Sequence, residues 1–161
     1  MAVAEIIGAA IGVLLLVVVA YILVGGTLTA AETLANAQKD MTLQHETRMR
    51  TDIELNRTDF GPSGSGYLTF SVTNSGNEII SDFSHMDVST FSTSSGEWQY
   101  LTYSSSGLPG SWTITSFEND YFHPRELDPG EKMWIRAYYV GEWPYRFQVT
   151  TGNGVTASAI I

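Results

Sequence analysis

Chemistry needs groups that titrate, bind metal or attack, and in this 161-residue chain few such groups stand near one another. His45, His85 and His123 lie about forty residues apart, too far for a local metal motif. Asp82, His85 and Asp87 fall within one short stretch, a set that could hold a cation but that a solvated strand edge explains better. Glu118, Asp120, Glu126, Asp128 and Glu131 form an acidic region where a hard cation could bind weakly, yet the D-x-D-x-D-G order of a calcium loop is missing. Serines are plentiful, but no G-x-S-x-G elbow occurs, and SSSGLPGS reads as a loop. No Gly-rich segment leaves a strand to open a helix, and cysteine is absent, which excludes disulfides, thiolate ligands and a Cys nucleophile. The residues therefore predict no catalytic, cofactor-binding or metal site and no enzyme activity. One modification signal stands out: Asn56-Arg57-Thr58 fits N-x-[ST] and is a candidate N-glycosylation site at Asn56.

Charge points elsewhere. The net charge is −9, and the eight basic residues are scattered, so nucleic acid is not an expected partner. The first 31 residues hold a single charge, Glu5, and from Ile6 to Val24 none occurs. As a helix this stretch is about 28 Å long, which matches the ~30 Å hydrocarbon core of a bilayer. Thirteen of its residues are Leu, Ile or Val, enough to favour insertion by roughly several kcal/mol. The chain opens MAVAE, without the basic start of a secretory signal, so the segment reads as a membrane anchor.

The helix should continue to about residue 48, because residues 27–50 contain no Pro or Gly and are rich in helix formers, with a possible bend at Gly25-Gly26. Leu28, Ala31, Leu34, Ala35 and Met41, with His45 and Met49, fall near one stripe. Ala4, Gly8 and Gly12 recur every fourth residue, which lets a neighbouring helix approach closely. With Ile6, Ile11, Leu15, Val18, Ile22 and the carboxylate of Glu5, they make up the expected subunit-packing face. Glu5 beside an apolar run must stay at the interface or find a cation.

Beyond residue 50 the texture changes to short alternating runs divided by Gly, Pro, Asn and Ser. The predicted architecture is α+β: a long hydrophobic N-terminal helix (1–49) followed by an immunoglobulin-like antiparallel β-sandwich (50–161). Its strands are expected at 51–57, 66–74, 84–91, 97–104, 111–117, 132–140, 145–151 and 154–161. Alternation assigns Leu68, Phe70, Val72, Met133, Ile135, Ala137, Phe147 and Val149 to the core. Asp128-Pro129-Gly130 suits a type II turn and Asn153-Gly154 a type I′ hairpin. Trp98, Trp112, Trp134 and Trp143 are expected in the core, whereas Tyr100, Tyr103, Tyr138 and Tyr139 are candidates for subunit contacts.

An acidic residue at position five of a chain that opens into an apolar helix resembles mature type IV pilins. Three further segments are similar to the pattern of archaeal flagellins (archaellins) and their pilin-like accessory proteins: VTNSGNEIISDF (72–83), HPRELDPGEKMWI (123–135) and VTTGNGVTAS (149–158). The resemblance covers essentially the whole chain. It implies a structural subunit of an extracellular archaellum or pilus-like filament, membrane-inserted before assembly and then packed with copies of itself through the same helix, serving motility or adhesion. Glu5 would pair there with the terminal amine of a neighbour, other filament subunits or the S-layer would be further partners, and movement would come from a separate motor. The alternative is a membrane-anchored accessory (stator) protein whose sandwich binds the cell envelope or S-layer, a role favoured by the lack of a pilin-type leader before Met1.

Overall fold

The computed structural model describes residues 2–56 and 66–161. Among the described residues one α-helix, eight strands and a short 3-10 turn occur. Helix α1 (Ala2–Arg50) runs unbroken through Gly25 and Gly26. No bend is needed there, because each glycine still supplies its N–H to the helix ladder and only side-chain packing is lost. The described part of α1 includes a stretch long and apolar enough to cross a membrane, none of it buried within the chain. The chain separates into two compact units, Met1–Leu43 and Gln44–Ile161, so the last two turns of α1 belong with the strands.

The strands are β1 (Ile53–Asn56), β2 (Leu68–Asn74), β3 (Asp87–Phe91), β4 (Trp98–Tyr103), β5 (Ser111–Glu118), β6 (Lys132–Tyr138), β7 (Arg146–Thr150) and β8 (Thr156–Ile160). They hydrogen-bond in the order β1-β2-β6-β5-β4-β3-β7-β8, and β1 also approaches β8, so the sheet nearly closes on itself. Two antiparallel halves, β1-β2-β6-β5 and β4-β3-β7-β8, face each other as the predicted sandwich. The junction departs from an all-antiparallel plan. β4 and β5 run parallel over Thr102↔Ser111 and Tyr103↔Trp112, because their connection crosses from one half to the other instead of folding back as a hairpin. A register shift at Thr115, between Ile114 and Ser116, bulges β5 where it leaves that junction.

All eight core residues assigned by alternation are fully buried. Leu68, Phe70 and Val72 of β2 pair with Ala137, Ile135 and Met133 of β6, and the rings of Phe70 and Phe147 meet 4.4 Å apart across the halves. Each such side chain contributes about 1.5–3 kcal/mol by leaving water. Of the four tryptophans only Trp112 is fully buried. Trp134 lies on the outer face of β6, where its Nε1–H donates to Glu118 Oε1 at 2.6 Å, and Trp98 and Trp143 are each 38% exposed. An indole N–H needs a partner or water, which favours sheet surfaces over the core.

Two local expectations are corrected. Residues 83–85 form a 3-10 turn ahead of β3, because the side chains of Asp82, Ser84 and His85 bond to one another there in place of a ladder. The β7–β8 loop is not type I′, since only Gly154 takes a positive φ (83°) while Asn153 does not. Gly154 N–H donates to Thr151 O, which makes a three-residue loop ending in a left-handed glycine. The other turn is as expected: Glu131 N–H donates to Asp128 O and Gly130 sits at φ 83°, the type II geometry that requires glycine at its third position.

Candidate functional site

The most elaborated place in the described chain is the neck, where α1 enters the sandwich. A helix leaves its last carbonyls without partners. Here the sandwich supplies one for Arg50 O, to which Asn77 N–H donates at 2.7 Å, and it holds the chain just past the helix, where Ser75 and Gly76 N–H both donate to Asp52 O at 3.1 Å. Thr51 turns back on the helix, its N–H and hydroxyl both bonding Thr47 O. Arg48 and Arg50 place positive charge in the last turn, where the helix dipole favours it, and Arg50 also lies 3.5 Å from Glu78. That ion pair is half exposed and adds little; the backbone bonds carry the joint.

The three short segments singled out in the sequence meet at this neck. Asn74, at the end of β2, is fully buried. Its amide donates to the carbonyls of Glu78 and Leu127, and its Oδ1 accepts Gly76 N–H at 3.0 Å. The Asp128–Glu131 turn bonds the Asn74 backbone from both sides, through Gly130 N–H to Asn74 O and Asn74 N–H to Glu131 O. From the third segment, Asn153 Nδ2 donates to Thr51 Oγ1 at 2.6 Å and Gly154 O accepts from Arg48 at 3.3 Å. Gly76 is obligatory, since a Cβ there would collide with the backbone of Arg50, Thr51 and Asp52. A cleft of about 500 Å³ lies beside the joint, lined by His45, Arg48, Met49, Gly154, Val155 and Thr156.

The chemistry-bearing residues are used locally. His85 Nδ1 bonds Asp82 Oδ2 at 2.6 Å; the Ser84 hydroxyl and the His85 ring hold the Asp82 carboxyl below its usual range. Asp87 is exposed on β3, and among the described residues no three His, Asp or Glu side chains gather as a metal site. The acidic region is spent on its own loop. Asp120 accepts Arg125 N–H, Glu131 Oε2 accepts Asp128 N–H, and the buried Asp128 accepts both the backbone N–H and ring Nδ1 of His123. The Asp128 carboxylate raises the His123 pKa above that of an ordinary histidine. These bonds fix a loop that displays Tyr121 and Phe122, about four-fifths exposed.

Along α1, Ala4, Glu5, Ile6, Gly8, Ile11, Gly12, Leu15, Val18 and Ile22 are exposed, as are their neighbours on every side of the helix, and nothing lies within 4 Å of a Cβ built on Gly8 or Gly12. Asn56 ends β1 exposed, while Arg57 and Thr58 of its acceptor sequence lie outside the described residues. Tyr100 and Tyr103 are exposed; Tyr138 and Tyr139 are partly covered, packing on Tyr67 and Trp143. Sequence reasoning missed the neck. Its signal lay in VTNSGNEIISDF, noted only as a family-like segment, whose Asn74-x-Gly76 step places a glycine at the seat of a helix end.

A family model for archaeal-type flagellin matches residues 4–159, from the anchor through the last strand. The chain belongs to the archaeal-type flagellin family. This flagellin-type chain is similar to an uncharacterized protein of Archaeoglobus fulgidus, 27% identical over 90% of this chain and 86% of the relative. Among solved structures it resembles the archaellum periplasmic stator protein FlaG from Sulfolobus acidocaldarius, with TM-score 0.54 and 24% identity over 69% of this chain and 99% of that one. The stator complex of FlaF and FlaG from the same organism matches with TM-score 0.52 and 25% identity, over 68% of this chain and 87% of the matched one.

Proposed function

We propose that this archaeal-type flagellin is a membrane-anchored, stator-type component of the archaellum, held in the bilayer by residues 6–24 and presenting its sandwich outside to a second stator protein or to the envelope. The observation that carries the reading is the likeness of its sandwich to solved periplasmic stator proteins, one of them in complex with its partner. The neck supports it. A stator must resist load between its anchor and its grip, and here backbone hydrogen bonds from residues 75–77 and a side-chain bond from Asn153 hold the residues that end the helix, where a flexible linker would yield. No residue is given a catalytic role, and movement comes from a motor elsewhere.

Fractionation of the native cells tests this. Filaments sheared from the surface and the remaining membranes are digested and quantified by mass spectrometry. The chain is expected in the membrane fraction and at most in trace amounts in filaments; finding it as a major filament protein would overturn the stator role. That outcome would favour the filament subunit, a reading supported by Glu5 at the head of an exposed apolar helix with Gly8 and Gly12 open to a neighbour. Glu5→Ala would then block assembly while leaving membrane insertion intact.

A further inference from the structure

Among the described residues of the strands and their loops, the two most exposed large apolar side chains are neighbours: Tyr121 is 79% exposed and Phe122 82%. A lone exposed aromatic is ordinary, but an adjacent pair is a patch. The loop between β5 and β6 is built to hold this patch out. Asn119 (φ 65°) and Arg125 (φ 71°), the non-glycine residues with left-handed backbone among those described, bracket the pair. Between them the loop is tied shut. Asp120 accepts Arg125 N–H on both carboxylate oxygens at 3.3 Å, Glu126 N–H donates to His123 O at 3.0 Å, and Asp128 accepts the backbone N–H and ring Nδ1 of His123. A pair fixed in this way meets a partner without first losing the freedom of a mobile loop.

The surroundings specify the partner's chemistry. Residues 118–132 hold five carboxylates, Glu118, Asp120, Glu126, Asp128 and Glu131, against Arg125 and Lys132. Glu118 is exposed and Asp120 and Glu126 are half-buried, so a negative potential surrounds the aromatic pair. Anionic lipid headgroups are repelled by it, and a second copy brings the same negative loop on a chain of net charge −9. We propose that Tyr121 and Phe122 are the anchor by which the sandwich docks on a different protein, one whose surface offers an apolar pocket rimmed by lysine or arginine. Aromatic anchors in a desolvated pocket carry most of the affinity of such a contact, and the charged rim sets its orientation and its rate of formation. The proposal deepens the stator reading by naming the surface that a partner grips.

The chain has no cysteine, so a single one at exposed Pro124 places a label beside the pair. Full-length Pro124→Cys, purified in detergent and labelled with a maleimide benzophenone, is irradiated with envelopes from cells deleted for the chain. The expected product is an adduct with one envelope protein through a peptide containing Lys or Arg. Adding Phe122→Ser should reduce it about tenfold, and adding Glu126→Lys, or high salt, about threefold. Circular dichroism establishes that each variant stays folded. An adduct unchanged by Phe122→Ser or by Glu126→Lys, an adduct with lipid alone or with a second copy, or no adduct beyond that of labelled Glu97→Cys, exposed between β3 and β4, would overturn the proposal. Fractionation that placed the chain in filaments would end the stator reading and leave these outcomes standing, whereas a membrane-located chain without the adduct would end the docking role alone.

Discussion

Replacing Gly76 with alanine adds one methyl group at the point where the sandwich seats the helix end. Gly76 does not take a positive φ, so alanine brings no backbone strain of its own and any loss comes from the contact. The new Cβ would collide with Arg50 O and Asp52 N, both backbone atoms that cannot swing aside. Relief requires the joint to open by about 1 Å, enough to stretch the three N–H···O bonds from Ser75, Gly76 and Asn77. Stretched but not broken, the three bonds together lose about 1 kcal/mol, and overpacking costs about 1–3 kcal/mol, so the expected cost is roughly 2–4 kcal/mol. For a domain of this size that lowers Tm by about 10 °C. The assay is thermal unfolding of the full chain in detergent, followed by near-ultraviolet circular dichroism, with Gly8→Ala as the control. Gly8 has open space around it, and alanine there improves helix propensity. If Gly76→Ala melted within about 2 °C of the native chain, the helix end would not be held on this corner and the rigid neck would be refuted.

Other changes probe the same structure. Asn74→Ala removes three hydrogen bonds at a buried corner, although Leu127 O keeps the Ile80 N–H and Gly76 N–H keeps Asp52 O, so a loss of about 1–3 kcal/mol is expected in chemical denaturation. Trp112→Ala empties the largest fully buried side chain and should cost about 3–5 kcal/mol, read from the same transition. His123 has a raised folded pKa, so its bond to Asp128 stabilises fully below the ordinary histidine range near 6.5 and fades as pH rises through the raised folded value. His123→Gln should therefore flatten the dependence of Tm on pH across that alkaline window and leave acid behaviour, where depressed carboxylates such as Asp82 are protonated, unchanged.

Much of the fold was legible because the physics is local. Alternation in LTFSVTN and KMWIRAY is the pleat of two strands with one face buried, and Asp-Pro-Gly encodes its turn through the two dihedrals that proline and glycine set. The neck was illegible because its partners are far apart in sequence: Asn153 reaches Thr51 across 102 positions, and neither residue carries a pattern that names the other. The parallel β4–β5 junction was hidden for the same reason, since pairing across halves depends on where a crossing loop lands. Tryptophan misled because its area argues for the core while its N–H argues for the surface, and Trp134 settled that conflict beside Glu118.

The neck bears on what the long helix is for. A tether needs only length, and a Gly/Ser linker provides it at little conformational cost. Here the sandwich instead bonds Arg50 O, the Thr51 hydroxyl and Asp52 O, so the residues that end α1 are fixed by hydrogen bonds to the domain that follows. The three segments singled out in the sequence converge on this joint. Asn74, Gly76 and the Asp128–Glu131 turn therefore act on how the helix end is seated, and substitutions there should be read first as changes to that seat.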